Sequence, residues 1–140
     1  ALDAALSQFK LANPGITLWI EPGRFLVAVG GVLLARVTQL KQKGAHGYVG
    51  VATGMNALVR PALYGAFHEI VNLSHPDGEA AGTFDVVGPI CESGDVLGHD
   101  RLLPETREGD VLLIANAGAY GRAMASSYNL REPPEELLLA

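Results

Sequence analysis

The sequence predicts a mainly β protein: an antiparallel β-barrel or sandwich of short strands, preceded by one helix–strand–helix unit of the α/β-barrel kind. Three observations carry this. Apolar residues recur at helical spacing only near the N-terminus. An almost unbroken apolar run follows the first turn. From about residue 31 onward, short apolar runs alternate with Gly, Pro and Asp turn signals. Residues 1–31 are therefore assigned to the tail of a barrel and residues 32–140 to a C-terminal β domain.

Leu2, Ala5, Leu6, Phe9 and Ala12 fall on one helical face, with Asp3, Gln8 and Lys10 between them, and Asn13-Pro14-Gly15 stops the helix. Ile16-Thr17-Leu18-Trp19-Ile20 suits a parallel strand buried on both faces. The apolar stretch from Phe25 to Leu34 predicts a short helix, interrupted by Gly30-Gly31. Leu33–Gln42 and His46–Ala52 flank a turn containing Gly44 and predict a hairpin. Phe67–Leu73 predicts a strand, and His75-Pro76-Asp77-Gly78 a turn. Thr83–Val87 and Val111–Asn116 predict strands, the second launched from Glu108-Gly109-Asp110. Leu137–Leu139 predicts a last strand. No internal repeat or low-complexity tract is present.

Of 140 residues, 49% are hydrophobic and 18% charged, enough apolar material for a real core in a single domain. The formal net charge is −5 and no Lys/Arg run occurs, which argues against nucleic-acid binding. The single cysteine, Cys91, excludes an internal disulfide framework and a Cys-based zinc site, and fits a cytoplasmic setting. The apolar stretch at Phe25–Ala35 is shorter than the roughly 20 residues that span a bilayer. The N-terminus has no basic region of a signal peptide and no initiator Met, so the chain is expected to begin in mid-protein. His46, His68, His75 and His99 are scattered without metal-ligand spacing; no metal is expected.

Four segments hold residues suited to chemistry. Glu21-Pro22-Gly23-Arg24 directly follows the predicted buried strand, where α/β barrels carry their catalytic groups. Gly23 permits close backbone approach to a ligand, a following helix N-terminus would attract phosphate, and Arg24 adds a planar donor fork. Arg60 and Tyr64 flank Pro61-Ala62-Leu63, and an arginine fixed beside a proline is suited to a substrate carboxylate. Cys91-Glu92 lies between Gly88-Pro89-Ile90 and Ser93-Gly94-Asp95. A free thiol titrates near about 8.5 and can donate a proton at neutral pH. Ala117-Gly118-Ala119-Tyr120-Gly121 leaves Tyr120 standing clear among small residues. Taken singly, each segment is equally well a polar turn, a buried thiol or a packed tyrosine.

Read in order, the four segments, with Gly54-Met55-Asn56 before Arg60 and Met124-Ala125-Ser126-Ser127-Tyr128-Asn129 behind Tyr120, resemble the diaminopimelate decarboxylases, within the pyridoxal-phosphate-dependent ornithine/diaminopimelate/arginine decarboxylase group. The resemblance runs from Ile16 onward. It implies a pyridoxal-phosphate-binding (β/α)8 barrel, whose last unit occupies residues 1–31, followed by the β domain. It also implies decarboxylation of meso-diaminopimelate at its D-configured end to give L-lysine. By the same resemblance, Glu21 bonds the cofactor ring nitrogen, Pro22, Gly23 and Arg24 lie in the turn that meets phosphate and substrate, and Tyr120 touches both. Arg60 and Tyr64 bind substrate, Cys91 is the proton donor, and Glu92 is its substrate-binding neighbour, reaching into the partner's site of a homodimer. Arg60 suits the distal carboxylate of diaminopimelate and Glu92 its amine.

The lysine that holds the cofactor as a Schiff base in such enzymes has no counterpart among Lys10, Lys41 and Lys43. The chain is therefore expected to be a C-terminal fragment, inactive alone, with an upstream aspartate kinase possible in principle. A fragment of another amino-acid or polyamine decarboxylase, or a β module for binding or assembly, remains the alternative.

Overall fold

The computed structural model describes residues 2–139. Its centre is one six-stranded sheet: β1 (Leu33–Lys43), β2 (His46–Val51), β3 (Ile70–Asn72), β4 (Gly82–Val87), β5 (Val96–Leu103) and β6 (Val111–Ile114). The order is β3-β6-β1-β2-β4-β5, antiparallel throughout except for the parallel β2–β4 pair. The two edge strands approach each other, with the Ile70 side chain lying against Gly98, so the sheet curls into a nearly closed barrel. The mainly β class predicted from the sequence is the observed one.

The long strand β1 makes the curl possible. Its first half pairs with β6, from Leu33↔Ile114 to Arg36↔Val111, and its second half with β2, from Val37↔Val51 to Lys43↔His46. The register shifts between Val37 and Gln39, where one strand passes from one neighbour to the other. The hairpin to β2 turns on Gly44-Ala45. Gly44 has φ +62°, a conformation that favours glycine in two-residue hairpin loops.

Leu33, Ala35 and Val37 alternate inward from β1 and meet Val49, Val51, Leu58, Ile70, Val86, Leu97, Leu103, Leu112 and Ile114 in one core. Each of the Val, Leu and Ile side chains among them contributes about 1.5–3 kcal/mol by leaving water.

Four predicted elements are changed by the structure. Ile16–Ile20 forms no strand; Ile16, Trp19 and Ile20 are exposed. A strand exists only with a hydrogen-bonded neighbour, and the six strands of the sheet already pair among themselves. Leu137–Leu139 likewise forms no strand and is exposed. Phe67–Leu73 shrinks to the three residues of β3. Between Phe25 and Leu34 a helix does form, but earlier: α2 spans Gly23–Val27, a 3-10 turn Ala28–Gly30 follows, and β1 has begun by Leu33.

The amphipathic segment forms α1 (Leu2–Ala12) and ends where Asn13 Nδ2 donates to the Phe9 carbonyl at 2.9 Å. None of its residues is buried. Among residues 2–31, Ala28 is the buried hydrophobe. It belongs to the segment docked on the Ala117-Gly118 turn through Ala117 N–H to Gly31 O (2.8 Å) and Gly118 N–H to Ala28 O (3.1 Å).

One α-helix and one strand went unpredicted. The short helix α3 (Arg60–Tyr64) starts with Pro61 in its first turn and stops at Gly65, φ +60°. Strand β5 carries Gly98-His99-Asp100, poor strand formers, and a bulge accommodates them. Phe84 pairs with Arg101 and Val86 with Gly98, so Asp85 faces two residues. Its Oδ1 accepts the Asp100 N–H at 3.0 Å, its Oδ2 lies 3.0 Å from His99 Nδ1 and 3.2 Å from His46 Nε2, and Asp100 takes φ +52°. No helix among the described residues is long and apolar enough to cross a membrane.

Candidate active site

Three of the four singled-out segments converge. Helix α3 presents Arg60 from its first position, and the turn after β6 presents Tyr120. The Arg60 guanidinium carbon lies 5.6 Å from the centre of the Tyr64 ring and 5.5 Å from that of Tyr120. Both are within cation–π range, worth about 0.5–1 kcal/mol at exposed sites and more when desolvated. Arg60 is only 9% exposed, and among the described residues no carboxylate forms an ion pair with it and no hydrogen bond engages its side chain. A cation largely withdrawn from water without a counter-charge is costly. It leaves five directed N–H donors available to an anion.

Tyr120 is held in an unusual backbone state. Its φ is +63°, a left-handed conformation that costs a non-glycine residue on the order of 1–2 kcal/mol. Ala119 before it is buried, and Gly121 after it packs so closely on the Ala117 carbonyl that a side chain would clash. The strained turn aims the phenol at Gly23, where a Cβ would stand 3.4 Å from the Tyr120 hydroxyl. The Glu21–Arg24 turn thus borders the same site. Gly23 N–H bonds the Glu21 carbonyl at 2.9 Å, and Glu21, Pro22 and Arg24 are exposed.

The fourth segment shows no such contact among the described residues. Cys91 and Glu92 are exposed on the loop between β4 and β5. No side-chain hydrogen bond or ion pair among the described residues links them to Arg60, Tyr64 or Tyr120. Their neighbours Ser93 and Gly94 line an open cleft with Pro61, Ala62, Phe67 and Arg101.

Sequence reading missed Asp95, treated there as a turn residue. It is 3% exposed, and its carboxylate accepts the N–H groups of Met55 and Ile90, each at 2.6 Å. Gly54 and Gly88, which leave room for that carboxylate, were the available signal.

The residues present suit part of a pyridoxal-phosphate site. An acid (Glu21) and a guanidinium (Arg24) flank the side-chain-free Gly23 along the chain, and the Tyr120 phenol lies beside Gly23. No lysine belongs to this set: Lys10 is on α1, and Lys41 and Lys43 are on the hairpin end of β1.

Fold and site together define the C-terminal sheet domain of a pyridoxal-dependent decarboxylase. The family model described as "Pyridoxal-dependent decarboxylase, C-terminal sheet domain" matches residues 28–118, and the chain belongs to that family. Its relatives include the diaminopimelate decarboxylases of Methanothermobacter thermautotrophicus (46% identical over 134 residues, 96% of this chain and 31% of that protein) and of Escherichia coli K12 (46% over 150 residues, 97% and 35%). The crystal structure of diaminopimelate decarboxylase from M. jannaschii in complex with L-lysine matches with a TM-score of 0.82 at 39% identity, covering 96% of this chain and 30% of that one. The chain spans about a third of the length of the relatives it matches.

Proposed function

We propose that the chain serves as the C-terminal region of a diaminopimelate decarboxylase, converting meso-2,6-diaminopimelate to L-lysine and CO2. The observation that carries this is Arg60: nearly buried, without a carboxylate partner among the described residues, and framed by Tyr64 and Tyr120 beside Gly23. Diaminopimelate differs from lysine by one carboxylate and from ornithine by one carboxylate and one methylene. A preformed guanidinium site rewards the carboxylate and leaves a bare amine unmatched. The names of the relatives point the same way.

Pyridoxal phosphate, when bound, supplies the electron sink for the pair left behind when the C–CO2 bond breaks. In this reading Glu21 bonds the ring nitrogen, while the Gly23–Arg24 backbone and the Tyr120 hydroxyl hold the phosphate side. Arg60 and Tyr64 orient the substrate, Glu92 takes its distal amine, and the Cys91 thiol delivers a proton to the carbon that lost CO2. The exposure of Cys91 and Glu92 supports a homodimer in which this loop completes the partner's site. Residues 1–31 belong with a barrel that carries the cofactor lysine, and the chain alone does not turn over. The lone thiol supports a cytoplasmic setting.

The test is a substrate panel. A protein in which this chain follows its lysine-bearing barrel should release CO2 from meso-diaminopimelate and discriminate against L-lysine, L-ornithine and L-arginine. Equal or higher kcat/KM for any of the three overturns the assignment.

A further inference from the structure

We infer that Asp95 is a positioning residue that fixes the Cys91–Glu92 loop against the segment leading to Arg60. The functional part of this inference rests on the roles proposed for those residues. The bridge itself is a matter of geometry.

Asp95 lies at the base of the loop. Its Oδ2 accepts the Ile90 N–H and its Oδ1 the Met55 N–H, each at 2.6 Å, so one side chain spans two segments far apart in sequence. On the loop side, Gly88 N–H bonds the Asp95 carbonyl at 2.9 Å and Asp95 N–H bonds the Glu92 carbonyl at 3.1 Å. Residues 88–95 therefore form a closed unit with Cys91 and Glu92 at its tip. On the other side, the Gly54 carbonyl accepts Ala57 N–H at 2.9 Å and Leu58 N–H at 3.1 Å, and α3 opens directly afterwards at Arg60. A displacement of Met55 is thus carried to the guanidinium.

The arrangement is built for a carboxylate. Both neighbouring groups are donors, so both oxygens must accept, which an amide of the same shape cannot do. A side chain on either Gly54 or Gly88 would run into the carboxylate. Among the described residues no cation pairs with Asp95, so its partners are these backbone N–H groups. That is the requirement of a strut between two segments.

The first test is hydrogen exchange on the chain itself. In the unmodified chain the Met55 and Ile90 amides should exchange at least about tenfold more slowly than those of Cys91 and Ser93, since bonds to a charged group are among the stronger ones. Asp95→Asn should lower protection about 10- to 100-fold at one or both of Met55 and Ile90, leaving Val49 and Val86 in the core unchanged. Fast exchange at Met55 and Ile90 in the unmodified chain overturns the bridge. So does unchanged protection in the variant, or an equal fall at Val49 and Val86.

The second test is kinetic, in the barrel-bearing enzyme. Asp95→Asn should lower kcat about tenfold or more, but by less than about twofold in a Cys91→Ala background, because the strut acts through the loop. Full additivity refutes the positioning role. A Cys91→Ala enzyme with undiminished kcat refutes the proposed role of Cys91 instead, and the exchange result then stands or falls separately.

Discussion

Arg60→Met separates what Arg60 does for the fold from what it does for the substrate. Methionine keeps most of the side-chain volume between Tyr64 and Tyr120 and deletes the charge. Two ring contacts are lost, each worth about 0.5–1 kcal/mol. Against this, a largely buried cation with no counter-ion among the described residues no longer has to be desolvated, a relief of similar size or larger. The net change in unfolding free energy is therefore small, within about 1 kcal/mol, and urea denaturation of the chain would show it. The substrate loses a two-pronged, charge-assisted bond to its distal carboxylate, about 3 kcal/mol, or a factor of about 150 in kcat/KM for meso-diaminopimelate. A stopped assay of lysine formation by the barrel-bearing enzyme measures it. A loss of less than about threefold removes Arg60 from the site. A stability loss above about 3 kcal/mol shows that the guanidinium is structural and refutes the reasoning from its missing partner.

Other consequences are independent of catalysis. Leu112→Ala should cost about 2–5 kcal/mol, a large share of a domain's stability, because Leu112 is fully buried at the centre of β6; a change below 1 kcal/mol in urea denaturation contradicts the core described. Burial pushes the Asp85 carboxyl up, but the Asp100 N–H, the His99 and His46 rings and the His99 charge outweigh it and hold the group below its ordinary value. Its contribution to stability is therefore present above an unfolded pKa of about 3.9 and is lost as pH falls through the lower folded value. The gap in urea midpoint between the parent chain and Asp85→Asn should narrow below about pH 4 and stay wide above it; a constant gap is the contrary result. Trp19, the one tryptophan and 86% exposed, should be quenched by acrylamide almost as readily as free tryptophan in the chain alone. Strong protection would mean that Ile16–Ile20 finds a cover the single chain does not provide.

Much of the fold was legible because local chemistry and tertiary pairing agree. The β1–β2 hairpin is written in Gly44 between two apolar runs, and β4 and β6 in runs bounded by turns. β5 was not, because Gly98-His99-Asp100 looks like a loop until Asp85 opposite stabilises the bulge. Ile16–Ile20 reads as a strand by composition, yet strand formation depends on a neighbour that a residue pattern does not contain. In the site, residue types marked Arg60, Tyr64, Cys91, Glu92 and Tyr120, while the stacking of Arg60 between two tyrosines follows only from the fold. Asp95 was illegible because its partners are main-chain N–H groups, which leave no trace in side-chain pattern beyond the room made by Gly54 and Gly88.

The most direct measurement follows CO2 and L-lysine from meso-diaminopimelate with saturating pyridoxal phosphate, for this chain alone and for the same chain joined to its lysine-bearing barrel. Equimolar CO2 and L-lysine are expected from the joined protein and neither from the chain alone. Lysine from the chain alone, or none from a folded, cofactor-loaded joined protein, would contradict it.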